Sequence, residues 1–130
     1  MIGTTCELHH TAYRVKDITQ SIGEWCRLFG ACVELPPTLV SADRVLVAFL
    51  VFDGGRIELV QPVDNPHKTP APGRPDHVCL LCSDFDARIA RVSEEGGIIS
   101  REAVASEAFG MRRMCFVLYA DVGLVELVER

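Results

Sequence analysis

Residues 10–30, HTAYRVKDITQSIGEWCRLFG, decide the fold, because their pattern returns 67 positions later as residues 77–97, HVCLLCSDFDARIARVSEEGG. His10 falls on His77, Asp17 on Asp84, Ile18 on Phe85, Ile22 on Ile89, Trp25 on Val92 and Gly30 on Gly97. A match at a fixed offset marks an internal repeat. Each copy opens on a short alternating or apolar run, Leu8 to Val15 and His77 to Cys82, which predicts a strand. A helix follows: Asp17 with Gln20 forms a capping box, and Ile18, Ile22, Trp25 and Phe29 recur at helical spacing until Gly30. In the second copy Ser83 or Asp84 caps, Phe85, Ile89 and Val92 make the apolar stripe, and Gly96 with Gly97 ends it.

Working outward, three β-rich stretches follow each helix. They are Cys32 to Leu35, Val45 to Phe52 and Arg56 to Gln61, then Ile98 to Ala103, Met114 to Tyr119 and Gly123 to Val128. Near the end of each copy the offset becomes 68, carrying Gly55 onto Gly123, Glu58 onto Glu126, Leu59 onto Leu127 and Val60 onto Val128. The expectation is an α+β fold of two tandem βαβββ modules, about residues 6–61 and 76–130, within a single domain over residues 1–130. Residues 62–75 hold Pro66, Pro70, Pro72 and Gly73, a composition that opposes regular structure and reads as the linker.

Composition narrows the function. The 130 residues, nearly half of them apolar, suffice for one sizeable core, and a net charge of -5 supplies no basic footprint for nucleic acid or anionic membrane. No apolar run reaches the roughly 18 to 20 residues of a bilayer span, and the N-terminus lacks the pattern of a secretory signal. The expectation is a soluble cytoplasmic protein acting on a small molecule. The six cysteines are scattered among apolar positions, which reads as buried free thiols. Cys79 and Cys82 spell C-x-x-C, but residues three apart in a strand face opposite sides, so both read as core.

Strand alternation places His10 on one face with Leu8, Ala12 and Arg14, and His77 with Cys79 and Leu81. Glu58 sits between Ile57 and Leu59, and Glu126 between Val125 and Leu127, an expensive setting for a carboxylate unless a positive group compensates it. A lone strand histidine is ordinarily a core residue and a lone strand glutamate a solvated one. Here both recur, at separations of 48 and 49 residues. If a pseudo-two-fold axis relates the modules, His10, Glu58, His77 and Glu126 converge as ligands of one divalent ion: Mn, Fe, Co, Ni or Zn. Arg14, on the His10 face, is an ordinary surface charge, half of an ion pair, or a binder of a substrate carboxylate or phosphate. His9 faces away from His10, His67 lies in the linker, and residues 105–113, with Gly110, Arg112 and Arg113, form either a flap or an ordinary loop.

Four segments, LHHTAYRVKDITQSIGEWCRLFGACVEL, VAFLVFDGGRIELVQP, PDHVCLLCSDFDARIARVSEEGG and GLVELVE, resemble the strand-and-ligand motifs of the vicinal-oxygen-chelate (glyoxalase/bleomycin resistance/dioxygenase) superfamily. The resemblance implies a U-shaped, cupped mixed β-sheet with helices on its outer face, and His10, Glu58, His77 and Glu126 as metal ligands. A carboxylate at Glu58 favours the isomerases and lyases of that family. The HH doublet and the IELVQP ending resemble its methylmalonyl-CoA epimerases; Arg14 resembles the glyoxalase I type of lactoylglutathione lyase. Either activity implies abstraction of a proton α to a carbonyl, through a metal-stabilised enolate, from a carbonyl or thioester substrate. Glu126 is the expected base, with Glu58 as its partner if both faces of the carbon must be served; the strand Val45 to Phe52 has no ionisable residue to act as a separate second base, which counts against the epimerase reading. Other readings are a metal-free antibiotic-binding protein of the same fold, which would need an aromatic cleft, and a divergent biosynthetic cyclase or isomerase. The paired modules also suggest a homodimer.

Overall fold

The computed structural model describes residues 5–65 and 74–130; His67 and most of the proline-rich linker lie outside the described residues. The elements follow the repeat. β1 (Cys6–Arg14), α1 (Ile18–Phe29), β2 (Cys32–Val40), β3 (Val45–Phe52) and β4 (Gly55–Pro62) make the first βαβββ set. β5 (Pro75–Cys82), α2 (Phe85–Arg91), β6 (Ile98–Ala105), β7 (Arg113–Tyr119) and β8 (Gly123–Glu129) make the second, with a 3-10 turn at Glu107–Phe109. The chain packs as two compact units, His10–Asp76 and His77–Arg130, the latter taking in the start of β1. Among the described residues no helix is long and apolar enough to cross a membrane.

In the first unit the strand order is β2-β3-β4-β1, with β1 parallel to β4 and the other neighbours antiparallel. The apolar face of α1 covers one side. Val15, Ile18, Ala31, Ala48, Leu50 and Leu59 form a buried cluster there, flanked by Tyr13, Ile22, Trp25 and Ile57. Trp25 is the aromatic centre of that side, 5.5 Å from Phe29, 5.9 Å from Phe52 and 6.3 Å from Tyr13 between ring centroids. Phe29, expected in the stripe, closes on Trp25 from the last residue of α1 but is itself 64% exposed. The Asp17 side chain accepts from the Gln20 amide at 3.1 Å, and Gly30 ends the helix at φ 69°, the left-handed conformation glycine adopts without a Cβ clash.

The second unit repeats the order as β5-β8-β7-β6, again with one parallel pair, β5 with β8. Cys82, Phe85, Val92, Cys115, Val117, Val125 and Leu127 bury together under α2. Here the helix departs from expectation. α2 ends at Arg91, and a turn rather than a helix leads to Gly96 at φ 83°. Asp84 occupies the N-cap position without capping, because its carboxylate accepts from the Arg88 guanidinium at 3.1 and 3.3 Å.

The strands outrun the sequence boundaries at two edges. β2 continues through Pro36 and Pro37 to Val40, and β6 reaches Ala105. Both have a neighbour on one side within their unit, where proline and irregular pairing are tolerated, and both carry register shifts against their partner.

Candidate metal centre

The face of each unit turned away from its helix carries the repeated polar residues. In the first unit Glu58 on β4 is the register partner of Ala12 on β1 and of Phe49 on β3, and His10 is two residues back from Ala12 on the same face. His10 and Glu58 are both buried, with Nε2 and Oε1 3.4 Å apart, and the Phe49 ring lies 5.2 Å from the imidazole. In the second unit Glu126 on β8 partners Cys79 on β5 and Phe116 on β7. His77 and Glu126 are likewise buried, again 3.4 Å apart through Nε2 and Oε1, with the Phe116 ring edge-on to His77 at 5.0 Å.

The spacing is informative. A charge-assisted hydrogen bond between these atoms would close to about 2.7–2.9 Å. Two donors bound to one ion at about 2.1 Å each sit roughly 3.0 to 3.4 Å apart, at right-angled to tetrahedral geometry. An imidazole nitrogen and a carboxylate oxygen are both donor types that a metal ion accepts, and ionised carboxylates buried as Glu58 and Glu126 are would be costly without a compensating positive group. The donor chemistry of all four residues suits a metal ion.

Phe49 and Phe116 were not singled out from sequence, although Phe49 falls on Phe116 at the same offset of 67 that relates the histidines. Their rings stand against the imidazoles, and the repeat itself was the signal that could have found them.

Arg14 shares the His10 face but is committed to an ion pair, its Nε donating to Asp76 Oδ1 at 2.8 Å. The His9 ring packs edge-on to Phe109 at 5.4 Å. All six cysteines are free thiols, but only Cys79, Cys82 and Cys115 are buried as expected; Cys6 and Cys26 are partly exposed and Cys32 is exposed. Cys79 lies beside Glu126 while Cys82 belongs to the α2 core, the opposite facing expected of a C-x-x-C within a strand. Burial pushes the Cys82 thiol up to about 12 and the Cys115 thiol up to about 11, so both stay protonated at neutral pH. Residues 105–113 form an ordered turn. Ser106 Oγ accepts from the Ala108 amide, the Met111 amide donates to the Ser106 carbonyl at 2.8 Å, and Phe109 is buried.

Comparison with known proteins agrees with this architecture. A family model described as the Glyoxalase/Bleomycin resistance protein/Dioxygenase superfamily matches residues 9–116. The chain belongs to this superfamily. Among superfamily-like structures, methylmalonyl-CoA epimerase from Mycobacterium tuberculosis superposes with a TM-score of 0.81 at 25% identity, over 99% of this chain and 92% of that one. A single-substitution variant of the Streptomyces coelicolor methylmalonyl-CoA epimerase in complex with 2-nitronate-propionyl-CoA gives 0.78 at 18% identity, over 97% and 98%. A hypothetical protein from Bacillus halodurans C-125 gives 0.79 at 20% identity, over 98% and 96%. No curated protein sequence matches the chain. The α+β fold is therefore that of the superfamily.

Proposed function

We propose that this chain is a single-domain, divalent-metal-dependent isomerase that removes and returns a proton on the carbon next to a carbonyl, with a methylmalonyl-CoA-like thioester as substrate. The observation that carries this reading is the repetition of one buried His–Glu pair, His10 with Glu58 and His77 with Glu126, each at 3.4 Å. In this reading the four residues together hold one ion of the Mn, Fe, Co, Ni or Zn class. Bound there, the ion would supply Lewis acidity that makes the α-proton easier to remove. Glu126 takes that proton on a carboxylate oxygen, and Glu58 serves the opposite face of the carbon, so that the centre can invert. Phe49 and Phe116, packed against the imidazoles, would limit the water that reaches the site.

Two findings support the substrate class. Structures resembling this chain include methylmalonyl-CoA epimerases, one of them in complex with methylmalonyl-CoA. Arg14, which the lyase alternative needs for an anionic substrate end, is held by Asp76, and the isomerase reading does not call on it.

The test joins metal analysis of the purified protein to deuterium exchange at the α-carbon of methylmalonyl-CoA, with a glyoxalase assay in parallel. The expected result is one equivalent of metal and metal-dependent α-exchange. Metal with glyoxalase turnover alone would move the protein to the lyases. Absence of metal after supplementation would overturn the enzyme reading and leave a small-molecule binding protein.

A further inference from the structure

Rows of directly opposed residues run across the strands of each unit. In the first unit Leu35 on β2 opposes Phe49 on β3, which opposes Glu58 on β4. In the second, Arg101 on β6 opposes Phe116 on β7, which opposes Glu126 on β8. Directly opposed residues share a face, so Arg101 lies on the face that carries Glu126 and His77. Ordinary alternation would not put it there. Ile99, two residues earlier, opposes Val117 and packs in the α2 core, and a register shift between Ile99 and Arg101 moves the arginine to the other side.

The reach is sufficient. Two strand spacings separate the Arg101 and Glu126 backbones by on the order of 10 Å, which the combined lengths of the two side chains span. Arg101 is half-buried, and its Nε is closed to solvent. The sister position holds Leu35, so the cation is a feature of one repeat and not a requirement of the architecture.

We propose that Arg101 binds an anionic group of the substrate, specifically a carboxylate on the acyl portion whose α-carbon reacts. This rests on the functional reading above. In that reading Glu58 and Glu126 already balance a divalent ion, so an incoming carboxylate brings negative charge that needs a further cation. A guanidinium fork matches the two oxygens of a carboxylate and is always charged.

The test is calorimetric titration of malonate, and of its neutral analogue malonamide, onto cobalt-supplemented protein. Wild type is compared with Arg101→Leu, which copies the sister position, and with Arg101→Lys. The expected result is that Arg101→Leu weakens malonate about tenfold or more and changes malonamide less than about twofold, with cobalt affinity unaltered. Arg101→Lys should fall between, because it keeps the charge and loses the fork. Equal malonate affinity in wild type and Arg101→Leu would overturn the proposal, as would a wild type that binds malonate no better than malonamide. If Arg101→Leu does not fold, Arg101→Lys decides, and wild-type affinity there overturns it. Arginine-dependent malonate binding by a protein that takes up no cobalt would uphold the arginine and sink the metal-dependent function.

Discussion

The two units carry the same row on one face and different scaffolding on the other. Phe49 and Glu58 with His10 are matched by Phe116 and Glu126 with His77, down to the same 3.4 Å separation. The helices that cover the opposite faces differ: α1 runs for 12 residues between a side-chain cap and a left-handed glycine, whereas α2 runs for 7 with neither. A covering helix needs only to bury an apolar stripe, which several lengths accomplish. A pair of donors must be held to fractions of an ångström, which leaves little freedom in the strands beneath them.

The largest effect expected from breaking this likeness lies in the glutamates. Glu126→Gln should lower α-exchange by about 10²–10⁴ while leaving the melting temperature near that of wild type. Glu58→Gln should do the same only if both faces of the carbon are served by carboxylates. Near-normal exchange in Glu126→Gln would remove it from the base role, and near-normal exchange in Glu58→Gln would leave a one-base mechanism of the lyase kind.

Next in size is the packing under the helices. Leu59 and Leu127 are equivalent neighbours of the two glutamates, and both are buried on the helix side. Leu59→Ala and Leu127→Ala should each cost about 2–5 kcal/mol in chemical denaturation. Comparable losses are expected because neither cavity can collapse against a sheet. A Leu127 cost well below the Leu59 cost would show that the shorter α2 yields where α1 does not.

Much of this was legible from the repeat, and its failures have physical causes. The ten strands and helices follow from hydrophobic period, and the placement of His10, Glu58, His77 and Glu126 on their faces follows from alternation. Arg101 escaped because a β-bulge inverts alternation, and nothing in the residues around Ser100 announces one. The end of α2 escaped because Gly96 and Gly97 were read together as a helix stop, while the helix had ended at Arg91. Arg14 was placed on the right face, but its pairing with Asp76 depends on a residue 62 positions away.

Gly30 and Gly97 align in sequence yet serve different needs, which gives the next test. Gly30 has open space around a would-be Cβ but stands at φ 69°. Gly97 has no positive φ, but its Cβ would fall 2.7 Å from the Tyr119 ring and 2.8 Å from Val92 Cγ1. Each alanine substitution should destabilise by about 1–3 kcal/mol, Gly30→Ala by backbone strain and Gly97→Ala by overpacking. Asparagine separates them. Gly30→Asn should recover most of the loss, since asparagine tolerates the left-handed region, whereas Gly97→Asn should be worse than Gly97→Ala. Recovery at both positions would mean that the Tyr119 contact gives way freely.

The smallest effect concerns surface charge, where the units again differ. In the second, Arg113 bonds Asp86 at 3.0 Å and Glu129 at 2.9 and 3.1 Å, and its guanidinium stands 5.1 Å over the Phe85 ring. In the first, Arg44 bonds Asp64 at 2.7 Å with no aromatic contact of this kind among the described residues. Hydrogen bonds from these arginines hold the Asp86, Glu129 and Asp64 carboxyls below their ordinary range. A carboxyl whose pKa is lower in the folded state stabilises the fold fully above its unfolded value, near pH 4, and loses that contribution as pH falls through the folded value. Arg113→Met and Arg44→Met should therefore lower the melting temperature slightly between pH 5 and 7, with a gap to wild type that shrinks below about pH 4. For Arg44→Met the gap should close. For Arg113→Met a remainder should persist, because the contact with Phe85 does not depend on carboxylate ionisation. A gap that stays constant to pH 2.5 in both variants would show that the arginines act through packing alone, and the charge difference between the two units would then carry no energetic weight.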